Sequence, residues 1–188
     1  MGQGFGGREA VYMKKLTRDE VWKEVFSYVK VIFFSVTITW LVCSKIVTQA
    51  QVPTGSMENT VETGSRVIVN RIAYLLGDPQ RGDIIAFKLP DDESQLYLKR
   101  IIGLPGEVIE GRDGKVYVDG EEISEPYIRE LCFLNFGPYT VPDDSYFMMG
   151  DNRNNSWDSR YWVNKYVGRD AIVGKAVFEF YPEIKVLE

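Results

Sequence analysis

Three short segments of the 188-residue chain carry side chains that could do covalent chemistry together. They are Pro53-Thr54-Gly55-Ser56-Met57, Tyr97-Leu98-Lys99-Arg100 and Gly150-Asp151-Asn152-Arg153-Asn154-Asn155-Ser156-Trp157-Asp158-Ser159-Arg160. The chain contains no histidine, which excludes a Ser-His-Asp triad, a Cys-His pair and an H-E-x-x-H zinc site. A hydrolytic serine here needs another base. A lysine, whose ordinary pKa is about 10.4, serves only where burial removes its proton. Each segment alone also has a plainer reading. Ser56 beside Gly55 suits a polar turn, strand alternation sends Lys99 to solvent, and the third segment suits a solvated loop held by Asx-turns.

Composition narrows the field. The chain is 45% hydrophobic, 13% aromatic and 26% charged, which is globular, and its net charge of -5 argues against nucleic acid as a partner. Cys43 and Cys132 stand far apart and form neither a metal spacing nor a disulfide framework; both read as packing residues. No metal or other cofactor is expected.

The segments need elements to hold them. The glycine-rich start, Met1 to Gly7, is expected to be disordered, and a helix begins near Thr17, with Glu20 three residues on as a capping box. From Phe26 to Val47, with Lys30 and Lys45 at its two ends, run about 22 residues, roughly 33 Å of helix and enough to span a bilayer. Arg8, Lys14, Lys15, Arg18, Lys23 and Lys30 precede the apolar run, while only Lys45 lies between it and Arg66. The positive-inside rule then makes residues 1–25 cytoplasmic, 26–47 a single transmembrane helix at the cytoplasmic membrane, and 48–188 an extracytoplasmic domain.

Beyond residue 50 helical periodicity gives way to short β-rich runs between Gly, Pro and Asp turns. Strands are expected at Arg66–Arg71, Asp83–Phe87, Leu96–Ile102, Glu107–Glu110, Lys115–Asp119, Tyr146–Met149 and Ile172–Tyr181. Asp113-Gly114 marks a hairpin turn. The predicted fold is an all-β, partly barrel-like antiparallel domain with a smaller inserted β region at about 106–140.

Taken together and in order, the segments resemble the sequence boxes of type I signal peptidases, Ser-Lys serine proteases of the bacterial membrane. The resemblance runs from the apolar segment to Tyr181. It includes the Pro53–Met57, Lys99 and Gly150–Arg160 segments and an Arg81-Gly82-Asp83-Ile84-Ile85-Ala86-Phe87 box. It implies Ser56 as nucleophile and Lys99 as general base through an acyl-enzyme, Thr54 as an oxyanion donor with the Ser56 N–H, and Ser156 as an orienting group for the amine. Arg100 with Asp151, and Asp158 with Arg160, would brace the site. Val52, Met57, Tyr97 and Leu98 would line shallow pockets for small residues. The implied substrates are secretory preproteins with small residues before the cut, met at the membrane lipid near the secretion translocon.

Two features depart from the family. Glu58-Asn59-Thr60 has asparagine where many members have proline, and Tyr161–Val167 is longer than the expected Trp-Gly link. Two other readings share some of these features: a self-cleaving Ser-Lys repressor, which would be cytosolic with a DNA-binding module, and a membrane-tethered β-domain that only binds. The first lacks a basic helix-turn-helix here, and the second has no reason to bury an amine near a serine.

Overall fold

A computed structural model of the chain describes residues 17–89 and 92–187. The glycine-rich start, Arg8, Lys14 and Lys15 lie outside the described residues. The chain divides into two compact units, the first ending at Leu41 and the second beginning at Val42.

The first unit is helix α1 (Arg18–Leu41). Its start is fixed by a capping box: the Glu20 N–H donates to Thr17 Oγ1 at 3.4 Å, and the Thr17 N–H donates to Glu20 Oε2 at 2.8 Å. Two donors that the helix cannot pair internally are thereby satisfied. No residue of α1 is buried, although Phe26, Ile32, Phe33, Phe34, Val36 and Trp40 are all large and apolar. From Val31 to Leu41 the helix carries no charged residue on any side, a pattern of membrane spans and of buried core helices. By length and composition, Arg18–Ile46 can cross a membrane. The regular helix stops before the expected exit at Val47. Val42–Ile46 forms a wider π turn, and Val47–Gln51 is already strand β1, paired residue by residue with Asn70 to Arg66.

The remaining strands are β2 (Arg66–Asn70), β3 (Ile84–Leu89), β4 (Asp92–Gly103), β5 (Val108–Arg112), β6 (Lys115–Val118), β7 (Glu121–Glu122), β8 (Phe136–Thr140), β9 (Ser145–Met149), β10 (Tyr166–Gly168), β11 (Ile172–Tyr181) and β12 (Lys185–Val186). Every pairing is antiparallel. The large sheet has the order β1-β2-β11-β3-β4-β9-β10, with β12 on β11, and the small one β7-β6-β5-β8. Register shifts along β11 bend the large sheet, as bulges do. Among the described residues no pairing joins β1 to β10, so the large sheet is open.

The small sheet is inserted between β4 and β9. Its β5–β6 hairpin turns at Asp113-Gly114, where both residues have positive φ, 50° and 81°, the conformation of a type I′ turn.

Packing on both sides of β3 and β4 positions the site. Ile84 and Ala86 join Val52, Met57, Val61, Val67 and Val69 in one apolar cluster. Ile85 and Phe87 join Ile101, Tyr146, Met148 and Trp162 in another. The third cluster, with Ile102, Ile109, Phe136 and Phe147, ties the small sheet to the large one. Ile84–Phe87 of β3 and residues 99–103 of β4 are buried whichever way they point, so Lys99 has no solvent side there.

Candidate active site

The chain leaves β1 in an extended conformation at Thr54 and makes one 3₁₀ turn, Gly55–Met57. Met57 is fully buried among Val61, Val67 and Val69, and this apolar anchor fixes the turn. Backbone hydrogen bonds follow, from Glu58 N–H to Gly55 O at 3.2 Å and from Val61 N–H to Met57 O at 2.8 Å. A second clamp comes from the third segment. The Asn152 N–H donates to Ser56 O at 3.1 Å, and Asn152 Nδ2 donates to Gly55 O at 3.0 Å.

Lys99 lies on β4 opposite Ile85 of β3. Its side chain reaches the turn, with Nζ 2.6 Å from Ser56 Oγ and 3.2 Å from Leu98 O. Lys99 is 3% exposed. Burial penalises the ammonium and pulls its pKa down to about 8, against the raising fields of Asp158 and Asp151 and with some help from Arg160. A neutral amine is therefore accessible near physiological pH, in hydrogen-bond contact with a serine hydroxyl. Thr54 Oγ1 stands 3.3 Å from Ser56 Oγ.

Two buried ion pairs flank these groups. Arg100 grips Asp151 with both arms, Nε to Oδ1 at 2.9 Å and the second nitrogen to Oδ2 at 2.8 Å, and Asp151 Oδ2 also accepts from Thr60 Oγ1. Arg160 makes the same fork on Asp158, both contacts 2.8 Å, and Asp158 Oδ2 accepts the Gly150 N–H at 3.0 Å. Bidentate pairs of this kind combine charge with fixed geometry. They hold the third segment against the Ser56 turn.

The Ser156 hydroxyl is buried near Lys99 but has no hydrogen-bond partner among the described residues. It packs on Gly150 instead: a Cβ at Gly150 would lie 2.3 Å from Ser156 Oγ and 2.4 Å from Ser56 O. The Ser156 side chain is thus brought close to the Ser56 turn because residue 150 has no side chain.

Val52, Tyr97 and Leu98 line a hollow of about 100 Å³ with Thr54, Ser56, Ala86 and Lys99. Met57 does not line it. The 3₁₀ turn directs Met57 inward, so it supports the hollow from the core. Ala86 takes the lining place, a contribution unmarked in sequence except by the alternation of the Arg81–Phe87 box.

Sequence reasoning also missed how the inserted sheet reaches the site. Arg153, fully buried, donates to both Glu125 oxygens at 2.8 and 2.5 Å, and Tyr127 lies between Arg153 and Arg100. Only the charge of Arg153 inside an otherwise small-residue segment hinted at a partner. Asn59 explains one departure from the family pattern. Its φ is 90°, which the proline ring, fixed near about −65°, cannot adopt. Cys132 is buried with its sulfur 3.0 Å from an Arg160 nitrogen, whereas Cys43 is exposed.

Comparisons with known proteins identify the family. The family described as signal peptidase, peptidase S26 matches residues 25–181. A Synechocystis protein named "Probable signal peptidase I-2" is 41% identical over 72% of this chain and 63% of its own length, so the chain spans just under two thirds of that relative. Signal peptidase I of Leptolyngbya laminosa is 38% identical over 82% of this chain and 78% of its own. The solved structure of a signal peptidase I from Enterococcus faecalis is 37% identical, covering 53% of this chain and 97% of that one, with a TM-score of 0.48. The chain belongs to the signal peptidase family, a family of serine endopeptidases.

Proposed function

We propose that the protein cuts N-terminal signal peptides from secretory preproteins at the outer face of the cytoplasmic membrane, with Ser56 as nucleophile and neutral Lys99 as general base. The observation that carries this reading is the 2.6 Å contact between Ser56 Oγ and a lysine amine that burial has made a weak base.

The contact of Lys99 Nζ with Ser56 Oγ supports the following steps. The neutral Lys99 amine takes the Ser56 hydroxyl proton as Oγ attacks the scissile carbonyl carbon. The oxyanion is met by the Ser56 N–H and the Thr54 hydroxyl, which is already beside Oγ. Collapse breaks the C–N bond, and the Lys99 ammonium gives its proton to the leaving amine. A water, deprotonated by Lys99, then attacks the acyl carbon; the bond to Ser56 Oγ breaks, the Lys99 ammonium returns the proton to Oγ, and the signal peptide leaves with a carboxylate end. Arg100–Asp151 and Asp158–Arg160 keep Ser56 and Lys99 in register, and Ser156 lines the same hollow as Lys99 without a hydrogen bond to the amine.

Specificity follows from size. The hollow beside Ser56 is walled by Val52, Ala86, Tyr97 and Leu98, apolar walls that would favour small side chains before the cut and meet larger ones by overlap. It lies between edge strand β1 and residues 95–98 of β4, where an extended chain before the cut can add its backbone to a strand edge.

Topology follows from the charge around α1. Arg18, Lys23 and Lys30 precede or enter its apolar part and Lys45 follows, which keeps the N-terminus cytoplasmic and the second unit outside. The helix lies in the lipid, and the enzyme works beside the secretion translocon, where preproteins emerge.

The test is to incubate the detergent-solubilised full chain with a preprotein carrying an Ala-x-Ala site and to sequence the new N-terminus. Cleavage after the second alanine, lost in Ser56→Ala and Lys99→Met, is the expected result. Cleavage retained in Lys99→Met would remove lysine from the mechanism.

A further inference from the structure

Thr54, Ser56, Tyr97 and Lys99 line two hollows. One is the small apolar hollow at Val52. The other, about 390 Å³, is lined by Gly55, Asn154, Asn155, Ser156, Trp157 and Tyr161 as well. A chain laid across Ser56 for cleavage must have one part on each side of the attacked carbonyl. With the acyl side held by the small hollow, the leaving side faces the larger one.

Trp157 and Tyr161 form its wall. Their rings stack with centroids 5.3 Å apart and planes 14° from parallel. The pair is anchored from below: the Tyr161 N–H donates to Asp158 O at 2.8 Å, and the Arg160 guanidinium lies 5.3 Å from the Tyr161 ring centroid. Asp158 and Arg160 are themselves locked in their buried ion pair. Yet Trp157 is 61% and Tyr161 40% exposed. Two large rings, held rigid by a buried network and left open to solvent beside a nucleophile, are characteristic of a binding surface. Asn154, Asn155, Ser156 and Thr54 add amides and hydroxyls to the lining, with Lys99 beside Ser56 as its cationic group, so the stack itself offers apolar contact.

We infer that the Trp157–Tyr161 stack is the docking wall for the first residues of the released chain, and that it favours an apolar side chain within the first two positions after the cut. This rests on the cleavage reading above for which side of the substrate leaves. It makes the enzyme sensitive to the mature protein's first residues as well as to the signal peptide. Rigid aromatic surfaces gain contact area at little cost in side-chain entropy.

The experiment has two arms, both on the full chain in detergent. The first measures binding to Ser56→Ala of two short peptides, one holding only residues after a cut and starting Leu-Phe with a free amine, the other holding only residues before it. Trp157→Ala in that background should weaken the first peptide about tenfold and leave the second within twofold. The second arm measures kcat/KM for substrates that share an Ala-x-Ala site and carry Leu-Phe or Gly-Ser after it. Trp157→Ala should reduce the Leu-Phe substrate about tenfold and the Gly-Ser substrate less than twofold, while Trp157→Phe restores most of the loss. Equal losses on both substrates, or leaving-side binding unchanged by the variant, overturn the inference. So does normal peptide handling with reduced binding to anionic phospholipid vesicles, which assigns the stack to the membrane surface. Absence of cleavage in the wild type, with leaving-side binding still dependent on Trp157, rejects the cleavage reading and keeps the wall as a peptide site.

Discussion

Tyr127 lays its ring against the guanidinium of Arg100, 4.0 Å from ring centroid to carbon, while its hydroxyl donates to Glu125 Oε1 at 3.1 Å. Arg100 belongs to β4, next to Lys99, whereas Tyr127 and Glu125 belong to the inserted region. Burial and the nearby Glu125 charge raise the Tyr127 pKa, so the phenol stays neutral. The small sheet is therefore part of what holds the site, because it caps the charged groups behind the dyad.

The first prediction concerns that link. The Arg153 and Glu125 side chains are 0% and 5% exposed. Removing the carboxylate leaves an arginine charge buried without its main counterion, a change that typically costs about 3–5 kcal/mol. Glu125→Ala should lower the free energy of unfolding by that amount in a denaturant titration. Tyr127→Phe should cost only about 1 kcal/mol, since it loses one hydrogen bond and keeps the ring on Arg100. A near-neutral Glu125→Ala would mean that the small sheet does not brace the site.

The second concerns pH. With a Lys99 pKa of about 8, roughly a tenth of the amine is neutral at pH 7 and roughly nine tenths at pH 9. The rate of acylation should rise about tenfold over that interval and level off above it. Stability moves in the same direction, since a lysine whose folded pKa is lowered binds fewer protons folded than unfolded between about pH 8 and its ordinary value of about 10.4. Stability should increase with pH through that window. Lys99→Met should abolish the rate and remove this rise, making the variant relatively most stable below pH 8, where wild type carries a buried charge. A pH-rate profile and denaturant titrations at pH 7 and 10 check both.

How far the sequence carried this structure differs by element. Strands with strong alternation or β-branched runs, such as Arg66–Asn70, Lys115–Val118 and Ile172–Tyr181, announce themselves locally. β1 does not. Val47–Gln51 continues from an apolar helix, and its strand character comes from pairing with β2. β8 contains Gly137-Pro138, which reads as a break. The burial of Lys99 is likewise non-local: the residue pattern of β4 allows a solvent-facing lysine, and only clusters assembled from distant segments close both faces. The direction of Met57 and the unpartnered hydroxyl of Ser156 depend on a turn and a glycine approach that residue types alone do not specify.

The third prediction tests the departure at Asn59. Asparagine tolerates positive φ better than most residues, and glycine better still. Asn59→Gly should change stability by less than about 1 kcal/mol, whereas Asn59→Pro should cost more than that, because proline cannot reach this backbone conformation. The turn also carries Thr60, which donates to Asp151, so Asn59→Pro should reduce kcat along with stability. A proline variant with wild-type stability and rate would show that the turn readily adopts the other form.

The fourth prediction addresses the oxyanion donor. Thr54 Oγ1 is 3.3 Å from Ser56 Oγ, close enough to meet an oxygen that develops on the carbonyl carbon bonded to Oγ. A donor of this kind acts most strongly when the carbonyl oxygen gains charge, so its loss raises the barrier more than it weakens substrate binding. Thr54→Ala should lower kcat by about 10² to 10³ with KM little changed. Thr54→Ser keeps the hydroxyl, loses only a methyl and should restore most of the rate. Thr54→Val keeps the shape without the hydroxyl, and should be as slow as alanine if hydrogen bonding matters and near normal if packing does. Steady-state kinetics on one Ala-x-Ala peptide decides among these, and a valine variant of near-normal kcat would leave backbone N–H groups as the donors.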